Sequence, residues 1–112
     1  MPRRSQSSTA ALAQVFRMLG DGTRLAIVRL LQDGELNVST ICRKLNMAQP
    51  SVSHHLAILR MGGLVDTRRE GKQIHYSLRD FRQDEASRAL REMMNGAGSV
   101  RIGPFIMALA KE

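Results

Sequence analysis

Apolar positions recur at helical spacing through most of the chain and change to alternation only past its middle. Leu12, Val15, Phe16 and Leu19 share one face of a predicted first helix whose N-cap is Thr9. Gly20-Asp21-Gly22 stops it. A second helix from about Thr23 carries Leu25, Ile27, Val28, Leu30 and Leu31 until Asp33-Gly34 ends it. Glu35-Leu36-Asn37-Val38 reads as an extended lead-in, and Ser39 is the predicted cap of a short helix over 40–45. Asn46-Met47-Ala48-Gln49 then makes a turn. Pro50 suits the first position of a fourth helix, which runs to about Met61 and stops at Gly62-Gly63. Two helices joined by so short a turn form the helix-turn-helix pattern.

After Gly63 the period falls to two. Residues 64–69 and 73–78 alternate as strands, with Glu70-Gly71-Lys72 between them as the turn. A basic hairpin in this place is a wing, spanning 64–78. Ala86, Leu90, Met93 and Met94 mark a fifth helix over about 83–95, a glycine-rich loop follows, and Pro104 is expected to open a short apolar helix over 105–110. The expected fold class is mainly α with a small β-hairpin (α+β). Its organisation is a disordered basic arm (1–8), a winged helix-turn-helix domain (9–95), and a loop with a C-terminal helix at a dimer interface (96–112).

Composition narrows the partners. The chain has 112 residues, no Trp and 4% aromatics, so its small core must come from Leu, Ile, Val, Met and Ala. Such a core is often completed by a second subunit. Lys and Arg outnumber Asp and Glu by 17 to 10, a net charge of +7, which favours a polyanion. No run approaches the ~18 apolar residues of a membrane span, and no apolar segment follows the basic start as a secretory signal requires. A cytoplasmic protein is expected. The single cysteine, Cys42, excludes an intrachain disulfide and a cysteine-cluster zinc site.

The stretch AQPSVSHHLAILR holds the chemistry. With Val52 at the centre of the buried face, a step of about 100° per residue puts Leu56 and Leu59 within about 40° of it. His54 falls about 200° away, on the opposite face, and His55 about 60° away, at the stripe's edge. Adjacent helical residues diverge too far to chelate a metal as a pair. His54 is therefore a candidate groove contact, and His55 a residue that packs at the helix boundary and bonds the backbone or a phosphate. Gln49, Ser51 and Ser53 are further candidate readers, because glutamine pairs with adenine and hydroxyls serve bases or phosphates. Arg60 is placed to touch the flanking backbone, and Arg68, Arg69 and Lys72 on the wing are phosphate or minor-groove candidates.

FRMLGDGTRLAIVRLL, QPSVSHHLAILRMGGLV and RREGKQIHYSL, present together and in this order, resemble the ArsR/SmtB family of bacterial winged-helix repressors over about Val15 to Leu78. The resemblance implies homodimers, paired through the first and last helices, that bind an inverted repeat in promoter DNA and release it when a metal or an oxidant binds. Two departures bear on the sensor. Where metal-sensing members carry Glu-Leu-Cys-Val-Cys-Asp, this chain reads Glu35-Leu36-Asn37-Val38-Ser39-Thr40, and its fifth helix has no histidine. No metal, cofactor or catalytic residue is expected, and no inducer is named. Cys42 stands where redox-sensing members carry the first of two reactive cysteines, and the second is missing. The expected function is therefore a DNA-binding repressor. The alternatives are a thiol- or metal-responsive repressor of the same family, and a winged helix used as a non-specific nucleoid or protein-interaction module. No nucleophile–base arrangement, phosphate loop or metal motif supports an enzyme.

Overall fold

The computed structural model describes residues 3–79 and 85–110, with side chains from Ser8 onward. Element order is α1 (Arg3–Leu19), α2 (Gly22–Leu30), β1 (Leu36–Asn37), α3 (Val38–Leu45), α4 (Gln49–Met61), β2 (Val65–Glu70), β3 (Gln73–Leu78), α5 (Glu85–Met94), β4 (Val100–Ile102) and β5 (Phe105–Met107). This is the expected α+β class, five helices with a small antiparallel sheet. Among the described residues no helix is long and apolar enough to cross a membrane.

The chain divides into two compact units, residues 17–80 and residues 1–16 with 81–112. In the first, Ile27, Leu31, Ile41, Val52, Leu56, Leu59, Leu64 and Val65 form the buried apolar set. They come from every helix of the unit and from the wing, so burial of one stripe per element assembles the helix-turn-helix. Met18 is buried at its edge and lies over Gly62, the α4 C-cap, where a Cβ would collide with the Met18 sulfur. The sheet order is β1-β3-β2, all antiparallel, with Leu36 opposite Tyr76 and Val65 opposite Leu78. Glu70 pairs with Gln73 across a two-residue Gly71-Lys72 loop. Gly71 takes φ +61°, the positive value that a tight hairpin turn needs and a side chain resists.

The second unit packs Leu12 of α1 with Ala86, Ala89 and Leu90 of α5, flanked by Ala11, Val15, Met94, Val100 and Met107. Two expectations are corrected here. The first helix begins at Arg3, not at Thr9, so residues 3–8 are helical rather than a disordered arm. No Gly or Pro interrupts residues 3–19, and the buried Ser8 hydroxyl donates to Glu85 Oε2 at 2.9 Å, which extends the packed surface back past Thr9. The expected C-terminal helix is a second hairpin, β4–β5, in which Ile102 pairs with Phe105. Gly103 at φ +56° and Pro104 form its two-residue turn. A proline in this place is compatible with a helix start, but pairing with Val100–Ile102 and the β-branched and aromatic neighbours select the strand. Phe16, Ile102, Phe105, Ile106 and Met107 line an open apolar cavity of about 460 Å³. The expected fifth-helix residues 83–84 lie outside the described residues.

Candidate nucleic-acid interface

Two asparagines bound α3, one at each end. Asn37, not Ser39, caps α3: its Oδ1 accepts from the Thr40 N–H at 2.8 Å. An Asn side chain that reaches the unpaired N–H three residues on is the local signature of such a cap. At the other end Asn46 sits in the left-handed region at φ 53°. Its N–H bonds to Arg43 O at 3.3 Å and the Met47 N–H to Cys42 O at 3.1 Å, a Schellman closure. Ala48 is the N-cap of α4 and provides no side-chain bond, and Pro50 lies in the first turn, where its missing N–H costs little.

On α4 the expected stripe is buried: Val52, Leu56 and Leu59 are all fully enclosed. Gln49, Pro50, Ser51, His54, Ala57 and Arg60 are exposed, and Ser53 is half-buried. The two histidine rings lie 5.5 Å apart at 64°, in edge-on contact, with His54 exposed and His55 half-buried. His55 is turned into its own fold. Its Nδ1 is 3.2 Å from Arg24 Nη1 and 3.8 Å from Asp21 Oδ1, and its side chain is only 16% exposed.

Asp21 and Arg24 lie outside the residues expected to form the site, although an Asp two and three residues ahead of free helix N–H groups is a cap signal. Asp21 Oδ1 accepts from the Thr23 and Arg24 N–H groups at 2.9 and 3.1 Å and so caps α2. The Arg24 backbone N–H is the main reason that the Asp21 carboxyl is held below its usual range. The same arginine's Nε donates to Met18 O at 2.7 Å, taking up a carbonyl from the last turn of α1.

The wing carries its cations differently from one another. Arg68 is gripped by Glu35, through both carboxylate oxygens, and by Glu70 Oε2 at 3.0 Å. That hydrogen bonding raises the Arg68 pKa and is the main cause of the lowered Glu35 carboxyl. Asn37 Nδ2 also donates to Gln73 Oε1 at 3.1 Å, so two side-chain links and the β1–β3 pairing tie the wing to the start of α3. Arg69 Nε donates to Gly71 O at 3.2 Å, and Arg69 and Lys72 are exposed at the tip. Cys42 is a free, half-buried thiol on α3.

Three helices, a capped turn, an outward polar face on α4 and a hairpin buttressed beside it define a winged helix-turn-helix protein. The sequence model described as "Bacterial regulatory protein, arsR family" matches residues 21–67. The chain is 50% identical over 66 residues to the arsenical resistance operon repressor of Escherichia coli, covering 58% of this chain and 56% of that protein. It therefore spans little more than half the length of that relative. It is 38% identical over 82 residues to the biofilm growth-associated repressor of Agrobacterium fabrum, covering 73% of this chain and 68% of that one. A solved homodimeric winged helix-turn-helix DNA-binding domain (fragment 1–100) from Mycobacterium bovis superposes with a TM-score of 0.65 at 30% identity, over 82% of this chain and 80% of that one. The chain belongs to the arsR family of bacterial regulatory proteins.

Proposed function

We propose that the chain is a transcriptional repressor that binds double-stranded DNA as a homodimer and reads an inverted repeat. The observation that carries this reading is the outward face of α4, polar and exposed directly behind a fully buried Val52–Leu56–Leu59 stripe. A helix held in this way presents its first turns to a major groove. Gln49, Ser51, Ser53 and His54 are the proposed base and phosphate contacts. Arg60, Arg69 and Lys72 supply phosphate contacts, and Arg68 and His55 hold the wing and helix rather than reach the duplex. The named activities of the relatives, a resistance-operon repressor and a biofilm-associated repressor, agree with a cytoplasmic regulator of this kind.

The second copy is proposed to cover the apolar surface of α1, α5 and the C-terminal hairpin. Phe105 and Ile106 there are 67% and 68% exposed, more than an isolated two-stranded hairpin tolerates without cover.

Binding-site selection from random DNA tests the reading. The expected product is a palindrome with half-sites one helical turn apart, about 10 base pairs centre to centre. Uniform enrichment with no palindrome points instead to a non-specific nucleoid module. Repeating the selection with oxidant, on the wild type and Cys42→Ser, reads any thiol response in the same experiment.

A further inference from the structure

At the junction of α1 and α2, the four-residue stretch Asp21-Gly22-Thr23-Arg24 does three things at once. Asp21 caps α2, Arg24 Nε closes the Met18 carbonyl of α1 at 2.7 Å, and Arg24 Nη1 reaches across to α4 at His55 Nδ1, 3.2 Å away. A guanidinium only donates, so this contact requires His55 Nδ1 as the acceptor, in the tautomer that carries its proton on Nε2. Asp21 Oδ1, 3.8 Å from the same Nδ1, balances the arginine's charge beside the ring. Arg24 and His55 are both partly enclosed, and they are 31 residues apart in sequence. The apolar stripe of α4 fixes which face is buried, but greasy contacts alone resist sliding and rolling of a helix poorly. A directional bond from a planar donor, itself anchored on the backbone of another helix, does resist them.

Building on the DNA-reading role of α4, we infer that Arg24 and His55 are a positioning pair. They touch no base or phosphate, and they set the roll of α4 so that the neighbouring His54, with Gln49 and Ser51, meets the groove. The pair also links the end of α1 to the reading helix, so its loss should erode discrimination between operator and random DNA more than it erodes binding in general.

The two histidine nitrogens make this testable. An asparagine at 55 places an amide oxygen about where Nδ1 stood, whereas a glutamine reaches about as far as Nε2. The wild-type protein and the His55→Asn and His55→Gln variants are titrated with the selected operator and with random duplex. His55→Asn should keep the ratio of the two affinities within about threefold, and His55→Gln should lose about tenfold or more of it, with random-duplex affinity unchanged in both. Rescue by Gln instead of Asn would mean that Nε2 contacts DNA and would overturn the inference. Equal behaviour of the two variants, retained or lost, overturns it as well.

A second readout needs no DNA. The imidazole ¹⁵N spectrum of the free protein should show an unprotonated Nδ1 at His55 whose resonance moves on Arg24→Lys, since lysine keeps the charge but loses the fork. A signal indifferent to that change removes Arg24 as the partner. If the wild type selects no operator at all, the repressor reading fails, while the ¹⁵N experiment still decides whether the pair exists.

Discussion

Replacing Glu35 by glutamine should make the wing bind DNA more strongly and with a steeper salt dependence. Arg68 is hydrogen-bonded to both oxygens of Glu35 and to Glu70, whereas Arg69 and Lys72 stand exposed at the tip. Each phosphate that a side chain neutralises contributes about 0.9 to the slope of log K against log salt. One such contact accounts for roughly a 3.5-fold change in affinity between about 50 and 200 mM salt. Lys72→Gln and Arg69→Gln should therefore each flatten the slope by about 0.9, and Arg68→Gln should leave it nearly unchanged. Glu35→Gln removes the carboxylate charge facing Arg68 and frees that guanidinium for a phosphate, so the slope should steepen by up to about 0.9. Fluorescence anisotropy on a labelled operator duplex across that salt range measures all four variants. If Arg68→Gln flattens the slope as much as Lys72→Gln does, Arg68 is a DNA contact in the complex and the buttress reading is wrong.

Three further outcomes are expected. Asn37→Ala removes the α3 cap and the bond to Gln73, and should lower unfolding free energy in urea by about 1 kcal/mol; no change would mean that the cap is not formed in solution. Asp21 and Glu35 have carboxyls held below their ordinary values of 3.8 and 4.5, so the ionised forms are favoured in the fold. Their stabilisation is complete above those values and is lost as pH falls through the lower folded-state pKa values. Thermal midpoints followed downward from about pH 5 should fall less steeply in Glu35→Gln than in the wild type, and parallel curves would count against the Arg68 pairing. Phe105→Asp with Ile106→Asp should shift sedimentation from dimer to monomer while leaving the far-ultraviolet helix signal intact; a persisting dimer would place the interface elsewhere.

Much of the proposed reading surface was legible because it depends on local periodicity. The buried Val52, Leu56 and Leu59, the exposed His54 and the half-buried His55 all follow from one angle per residue along α4. The wing turn was legible for a related reason. Gly71 is the residue that a two-residue hairpin with positive φ demands, and alternation on either side fixes the pairing. The caps were harder. Ser39 and Asn37 are both good capping residues two positions apart, and only the position where the chain first turns helical chooses between them.

The C-terminal hairpin shows where pattern misleads. Six apolar residues after a proline suit a short helix or a strand equally, and the opposing Val100-Arg101-Ile102 segment that selects the strand lies across the turn. By itself, then, the sequence determined the helix-turn-helix, the wing, the basic character and the polar face of α4, because each rests on neighbours within a few residues. Tertiary structure alone decided which charges are paired within the fold. Arg24 meets His55 and Arg68 meets Glu35 across separations of 31 and 33 residues, and only packing of the apolar stripes brings those elements within hydrogen-bond reach.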